Sequence, residues 1–284
     1  MKKDRIYLFS FCLLFLNPIY ADIDSYFKKP ITTSSSNYGE TGIIEIPNAR
    51  FMQPASMRFS YSSSYPYEYT SLTATPFEWM EATYRYAEIE NRLYGPSSYS
   101  GNQSLKDKGF DFKFRLLKER NFLPQVALGL RDIAGTGAFS SEYIVGSKKI
   151  GNIDLSFGYG WGLLGREGSV ANPFSSLSDN FKIRNALSSQ GGTITFKNWF
   201  SGPTSLLGGI EYDLKKYGLK IKLEYDTTSP DLASNHLDVD SRFNIGLDYH
   251  FSDSLKFGTS FERGNQFRLN FRIEGNFLKD TVSK

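Results

Sequence analysis

From about residue 56 onward, the chain repeatedly places a large apolar or aromatic residue at every second position. Two of the clearest segments are 108–118 and 266–277, where the intervening residues are charged or polar. A period of two is that of a β-strand, whose successive side chains point to opposite faces. No helical period is sustained after residue 25. The pattern therefore predicts an all-β protein.

The alternating segments predict twelve strands, near residues 56–63, 69–75, 79–89, 108–118, 122–132, 140–149, 152–161, 205–214, 218–227, 240–251, 254–263 and 266–277. Every connection after an even-numbered strand is short, and the long connections all follow odd-numbered strands. Outer-membrane barrels show this asymmetry, with short periplasmic turns and longer external loops. Residues 193–200 also alternate, but a further strand would break the parity, so we assign them to the long external loop 162–204.

The two faces of the predicted strands differ in chemistry. A soluble sandwich would turn its aromatic side chains inward, and roughly twelve such strands would overfill one core, whereas a transmembrane barrel turns them outward to lipid. Closure of the sheet would then satisfy every backbone group within the bilayer. On this reading the outward residues include Phe112, Phe157, Leu223 and Leu269, and the inward residues include Ser156 and Asn270. The sequence predicts an all-β, transmembrane antiparallel outer-membrane β-barrel of about 12 strands.

The first 43 residues follow a different pattern. Residues 1–21 combine a basic start, an apolar run from Ile6 to Leu16 and a small residue, Ala21, at a cleavage point. This order predicts a secretory signal peptide. Residues 22–43 are polar and rich in Ser and Thr, so we expect a flexible N-terminal leader. The β-barrel domain is then expected over residues 44–284.

Composition narrows the classes of function. The formal charge of +3 is too small to indicate a nucleic-acid partner, which would need clustered basic residues. The chain has two His and one Cys, and Cys12 lies within the predicted signal peptide. A zinc site or a Cys–His nucleophile is therefore disfavoured. We predict no cofactor and no nucleic-acid partner.

Two groups of titratable residues are candidates for chemistry. Asp248 and His250 lie two residues apart on the polar face of one strand, where such a pair could orient a general base. The chain has no Gly-x-Ser-x-Gly turn to present a nucleophile, so solvated lumen residues are favoured and no enzyme is predicted. One external loop is rich in potential oxygen ligands for a hard cation and contains Asp231, His236, Asp238 and Asp240. A solvated acidic loop is the commoner case, and no metal site is predicted.

Three charged residues flank the short loop after the fifth predicted strand. Arg131 faces inward if Leu128 and Leu130 face outward, and we expect it to pair with Asp132 or Glu142 at the mouth or in the lumen. A fixed Arg–carboxylate pair between neighbouring strands would stiffen the mouth. A constriction that selects what passes is the functional alternative.

Several aromatic residues lie toward predicted strand ends. An interfacial girdle is the favoured explanation for Tyr84, Tyr86, Tyr143, Tyr159 and Trp161. Trp199 and Phe200 instead lie within the loop 162–204, as a candidate gate or glycan contact. A barrel of about twelve strands has a narrow lumen, so we expect this loop to fold inward and close it.

Several runs of sequence are specific enough to indicate a family. They include TGIIEIPNARFM (41–52), KGFDFKFRLLKE (108–119) and GLRDIAG (129–135), the last being the most distinctive. Over about residues 39–227 the chain resembles the YjbH-like family of outer-membrane barrels linked to exopolysaccharide and capsule production. The resemblance implies a role in surface polysaccharide secretion and supplies no catalytic residues. The chain is much shorter than the usual family plan, which implies one barrel without the large second half.

Two functions of different kinds remain open. The first is an outer-membrane β-barrel of a Gram-negative bacterium that aids export or assembly of an exopolysaccharide or capsule. Its expected partners are outer-membrane lipid, other polysaccharide-export components and the polysaccharide itself. The alternative is a structural or adhesin-like outer-membrane barrel whose long external loop binds partners.

Overall fold

The computed structural model describes residues 33–185, 194, 196–228 and 238–280. Within these residues, twelve strands pair antiparallel in chain order, and the last strand pairs with the first to close a barrel. The strands are β1 (Ser56–Ser64), β2 (Tyr67–Phe77), β3 (Met80–Leu93), β4 (Ser104–Leu117), β5 (Gln125–Arg131), β6 (Ser141–Ile150), β7 (Ile153–Gly162), β8 (Thr204–Leu214), β9 (Leu219–Tyr225), β10 (Phe243–His250), β11 (Leu255–Glu262) and β12 (Gln266–Asn276).

In the part of the chain that the structure describes, helical structure is confined to short pieces. The α-helices are α1 (Ser97–Ser100) and α2 (Phe277–Asp280), and 3₁₀ turns cover Leu163–Gly165, Pro173–Ser176, Asp179–Phe181, Phe196–Asn198 and Lys215–Tyr217. Among the described residues, no helix has both the length and the apolar character needed to cross a bilayer.

The predicted strands and their parity are confirmed. Each of the twelve predicted strands overlaps an observed one, and the described part of 193–200 forms the 3₁₀ turn Phe196–Asn198 instead of a strand. We name the end of the barrel with connections 78–79, 118–124, 151–152, 215–218 and 251–254 the turn end. The opposite end, which carries the connections 94–103, 132–140, 163–203 and 226–242, is the loop end.

The outer face of the barrel is apolar, as predicted. Along β7, Leu155 and Phe157 are exposed, whereas Asp154 and Ser156 are buried inside. Phe157 has 57% of its surface exposed and Leu269 on β12 has 70%. An apolar outer face on a sheet without a free edge is the surface of a transmembrane barrel.

The barrel interior is filled by an N-terminal segment, which we name the plug (residues 34–52). All of residues 34–49 are buried, and they contact one another and inward-facing side chains of the wall. The expectation of a flexible leader is therefore wrong for residues 33–43, and residues 44–52 belong to the plug, not to a strand. The polar composition of this segment matches a charged lumen, where its amides and hydroxyls find partners. The predicted signal peptide (1–21) and residues 22–32 lie outside the described residues.

The plug follows a path into the lumen and back. Ser34 lies at the turn end, where its carbonyl oxygen accepts a hydrogen bond from Arg58 Nη1 at 3.4 Å. Glu40 and Glu45 reach side chains near the loop end, and Arg50 has returned to the turn end beside Asp154. The chain then continues into β1. The plug is thus a loop inserted from the turn end and held at both of its ends.

Candidate functional site: the plugged lumen

At the turn end, the plug is fixed by an arginine and two wall carboxylates. Arg50 Nε and Nη2 donate to the two carboxylate oxygens of Asp154, both at 2.8 Å. Its Nη1 donates to Glu119 Oε2 at 2.5 Å. A bidentate Arg–carboxylate pair fixes orientation as well as position. In addition, Asn48 Nδ2 donates to Glu211 Oε2 at 3.1 Å.

In the middle of the lumen, charged wall side chains satisfy the backbone of the plug. The Glu224 carboxylate accepts three backbone N–H groups, those of Ile44 at 2.9 Å, Glu45 at 2.8 Å and Ile46 at 3.3 Å. The Lys222 ammonium donates to the carbonyl oxygen of Ile43 at 3.0 Å. Because the plug has little regular secondary structure, these side chains take the place of a strand or helix partner.

A second set of wall charges repeats this arrangement on the plug residue Thr41. Lys113 Nζ donates to the Thr41 carbonyl oxygen at 2.9 Å, and the Thr41 N–H donates to Glu81 Oε1 at 2.8 Å. Lys113 and Glu81 also form an ion pair with each other at 3.0 Å. The wall therefore supplies a donor and an acceptor as a linked pair.

Toward the loop end, two buried plug carboxylates meet wall arginines. Glu40 Oε1 lies 2.5 Å from Arg131 Nη2, and its Oε2 accepts the Tyr143 hydroxyl at 2.7 Å. Glu45 lies 3.6 Å from Arg263 and 3.7 Å from Arg268. Buried charges need such partners, because an isolated one would carry a large desolvation cost.

An apolar cluster completes the packing of the plug. Its buried members are Ile43, Ile44, Ile46, Ala49, Phe51, Ala127, Tyr143, Val145, Leu164 and Leu207. Two inward glycines of the wall make room for it. A Cβ at Gly209 would lie 2.7 Å from Ile43 Cδ1, and a Cβ at Gly246 would lie 3.1 Å from Ile44 Cδ1. These glycines at inward positions were a signal in the sequence that the lumen receives a tightly packed segment.

The predicted pairing of Arg131 with Asp132 or Glu142 is wrong. Glu142 lies opposite Leu130, which places it on the outer face, while Arg131 lies opposite Ser141 and faces inward. Arg131 therefore binds Glu40 of the plug, and Glu142 forms an ion pair with Arg184 of the long loop at 2.7 Å.

Asp132 has a local structural role at the loop end. Its backbone adopts φ 58°, and its Oδ2 accepts a hydrogen bond from the N–H of Phe139 at 3.0 Å. Burial raises the pKa of the Asp132 carboxyl to about 6; Arg85 opposes this shift, and the nearby Asp107 and Asp111 add to it. The residue closes the loop 132–140.

The described part of the long loop lies against the outer rim of the barrel. Trp161, in the outward phase of β7, is buried under Phe200 and Phe174, with ring centroids 5.2 and 5.5 Å away. Trp199 is half-buried and packs on Phe196 at 4.8 Å. At the start of this loop, Leu164 belongs to the plug cluster and Leu163 belongs to a second buried cluster that contains Tyr38 of the plug. Beyond these two leucines, the described loop residues Phe174, Arg184 and Phe200 contact outward-phase residues, and the expectation that the loop closes the lumen is wrong for them, because the plug occupies that space.

The other residues singled out from the sequence are the Asp248–His250 pair, the predicted aromatic girdle and the acidic loop, and they lie in different parts of the barrel. Asp248 is held by Lys222 at 2.5 Å and Arg272 at 2.7 Å, as a lumen charge. In the predicted girdle, Tyr84 and Tyr159 are exposed and Tyr86 is half-buried on the outer face, whereas Tyr143 and Trp161 are buried and the prediction is wrong for them. Of the acidic loop, Asp231 and His236 lie outside the described residues, and Asp240 Oδ2 accepts a hydrogen bond from Asn265 at 3.2 Å.

Two solved structures share some likeness with this barrel. One is the KdgM porin in complex with disordered oligogalacturonate, at 11% identity and a TM-score of 0.40, over 78% of this chain and 99% of that one. The other is a triple mutant of the Rhodopseudomonas blastica porin, at 10% identity and a TM-score of 0.30, over 74% of this chain and 56% of that one. Because these scores are low, the fold assignment rests on the strand pairing within this chain.

Comparison with known sequences identifies the family of the chain. The chain is 40% identical over 254 residues to the uncharacterized lipoprotein YjbH of Escherichia coli (strain K12). The match covers 88% of this chain and 36% of that protein, so the chain spans about a third of the relative's length. Residues 34–284 match the YjbH family, described as exopolysaccharide biosynthesis protein YbjH. This range includes the plug and all twelve strands, and the chain belongs to the YjbH family.

Proposed function

We propose that the protein is an outer-membrane barrel with a non-enzymatic role in export or assembly of an exopolysaccharide or capsule. Membership of an exopolysaccharide biosynthesis family is the observation that carries this proposal. The apolar outer face and the signal-peptide pattern of residues 1–21 support the outer membrane as its location. Other polysaccharide-export components and the polysaccharide are the proposed partners.

The plug suggests how the lumen would take part. Much of its contact with the wall is ionic or hydrogen-bonded, through Glu40, Glu45 and Arg50. Water can replace such contacts when a plug leaves, since both partners are polar and become hydrated. We propose that the barrel is closed at rest and that the polymer passes, or is handed on, when the plug is displaced.

The long loop favours a second candidate, a structural or adhesin-like role. Its Leu177 and Ile183 are 75% and 71% exposed, and these apolar side chains are available for contact with a partner. This role would act from the outer rim and would not require the plug to move.

A disulfide lock separates the two functions. Ser147 Oγ accepts a hydrogen bond from the Ala49 N–H at 2.8 Å, so an A49C/S147C variant would tie the plug to β6. Deleting the gene should reduce the polysaccharide recovered from the cell surface, and the wild type should restore it. The oxidised lock should fail to restore it and the reduced lock should succeed. Unchanged polysaccharide after deletion would refute the role in export, and full rescue by the oxidised lock would favour the rim.

A further inference from the structure

A groove lies on the outer wall of the barrel near the loop end, between β3, β4 and the loop 132–140. Its volume is about 590 Å³, which is within the range of about 300–1,000 Å³ that is typical of small-ligand sites. We name it the outer groove, and its polar lining residues are Tyr86, Tyr94, Gln103, Lys106, Lys108 and Thr136. It is separate from the lumen, because Tyr86 and Lys108 are in the outward phase of their strands.

The position of the outer groove along the barrel axis follows from the register of β3 and β4. Tyr84 lies opposite Phe110. Two residues closer to the loop end, Tyr86 lies opposite Lys108. Phe110 is 46% exposed on the apolar band. Two residues of strand rise about 7 Å, so the lysine lies just beyond the edge of that band. Tyrosines and lysines at this height meet lipid headgroups.

Near the loop end of β4, the lysines and the carboxylate of this strand lie on opposite faces of the barrel wall. Within the described residues, the Lys108 ammonium has no ion-pair or hydrogen-bond partner, and Lys106 lies 3.6 Å from Glu88, with both side chains about a third exposed. Asp107, on the same strand, is buried in the inward phase and accepts a hydrogen bond from Thr136 at 2.6 Å. The outward side of this strand is therefore cationic while its carboxylate is turned away.

The loop that borders the outer groove is packed directly on β4. A Cβ at Gly135 would lie 2.5 Å from the carbonyl oxygen of Lys108, so only a glycine permits this approach. Gly135 belongs to the GLRDIAG run (129–135). The loop thus forms a fixed side of the groove next to the free ammonium group.

We propose that the outer groove binds the phosphorylated headgroup of a glycolipid with the chemistry of lipid A. Lys108 and Lys106 would meet the phosphate, Tyr94 and Gln103 would offer further donors, and the acyl chains would lie on the band that contains Phe110. Ammonium groups bind phosphate as strong point charges. A membrane lipid fits better than a soluble anionic polysaccharide, because the groove opens above an apolar surface. This proposal rests on the proposed outer-membrane location.

Lipid binding to the purified full chain in detergent tests the proposal. The probes are bisphosphorylated lipid A, the same lipid without phosphates, inorganic phosphate and a soluble anionic polysaccharide. The test variant is K106Q/K108Q. The matched control is K118Q/K216Q, because Lys118 and Lys216 are exposed at the turn end, Lys118 pairs with Glu78 and Lys216 lies beside Tyr217. Heat-modifiable migration on gels checks that each variant is folded.

The expected result is an affinity for bisphosphorylated lipid A that falls about tenfold or more in K106Q/K108Q and stays unchanged in K118Q/K216Q. The lipid without phosphates should bind the wild type as weakly as the phosphorylated lipid binds the test variant. Equal binding of both lipids, equal loss in both variants, or tighter binding of inorganic phosphate or polysaccharide at the groove would overturn the proposal. The assay contains no export machinery, so it can fail or succeed independently of the role in polysaccharide export.

Discussion

Glu40 and Arg131 illustrate what can be predicted for a single residue. The inward direction of Arg131 follows from strand alternation, and the structure confirms it. Its partner could not be predicted, because Glu40 lies 91 residues earlier in a segment without periodicity. Alternation assigns a side chain to a face of the sheet, but it carries no information about which distant segment fills the space on that face.

Removing the charge of Glu40 should destabilise the protein. The variant Glu40→Gln leaves the buried Arg131 guanidinium without its partner carboxylate. Breaking a buried ion pair in this way lowers the free energy of unfolding by about 3–5 kcal/mol. Urea unfolding followed by tryptophan fluorescence measures the change. Lys182→Gln is the control, because its ion pair with Asp179 is exposed, and its unfolding midpoint should be unchanged. Equal midpoints for the two variants would contradict the importance of the buried pair.

The Asp132 carboxyl should make stability depend on pH. Its pKa is raised from 3.8 to about 6 by burial, so the folded state holds the proton at a pH where the unfolded chain releases it. Stability from this residue is therefore greatest below about pH 4 and is lost as the pH rises toward 6, by up to about 3 kcal/mol. Asp132→Asn should lack this part of the pH dependence in unfolding titrations between pH 4 and 7.5. Identical slopes in the variant and the wild type would show that other groups are responsible.

At the scale of elements, the strands were predictable and the plug was not. Each strand shows a period of two, and closure of the barrel makes the phase consistent between neighbours. The plug forms no strand or helix and has only isolated bridges, at Ser35–Thr41 and Gly42–Pro47. Its sequence accordingly shows neither the period of a strand nor that of a helix. Its polar residues without a period are typical of a flexible leader, which is what the sequence predicts there. Inward glycines such as Gly209 were the remaining signal, since they lie beneath a plug isoleucine.

Arginine on the outer face of a strand should be costly in proportion to its depth. Phe157 lies in the middle of β7, and Phe157→Arg should cost about 2–4 kcal/mol if it lies at the bilayer midplane. Phe267 lies at the loop end of β12, and Phe267→Arg should cost about 0–1 kcal/mol there. Unfolding of the barrel in lipid vesicles compares the two. A larger cost at Phe267 would show that the apolar band is placed wrongly along the barrel.

On the inner face, Ser156 is buried beneath the plug. Ser156 Oγ lies 2.8 Å from Ser147 Oγ, which in turn holds the N–H of the plug residue Ala49. Strand alternation places Ser156 on the inner face, but it does not predict the segment that is packed against it. With the plug in place, an arginine there would have to displace packed atoms, which is itself destabilising.

At the scale of the whole molecule, a wall of twelve strands and a buried N-terminal loop form one closed unit. The plug binds the wall at the turn end through Arg50 and near the loop end through Glu40. The described part of the long loop covers Trp161 on the outer rim. The state of the lumen is thus set by residues that precede the first strand.

Single-channel conductance in planar bilayers tests this central claim most directly, with three forms of the protein. The wild type and a variant lacking residues 166–198 should both remain closed, because both retain the plug. A variant lacking residues 34–52 retains all twelve strands and should conduct, since its charged lumen would fill with water and ions. The claim is contradicted if the plug deletion yields a folded barrel that stays closed, or if the loop deletion alone opens the channel.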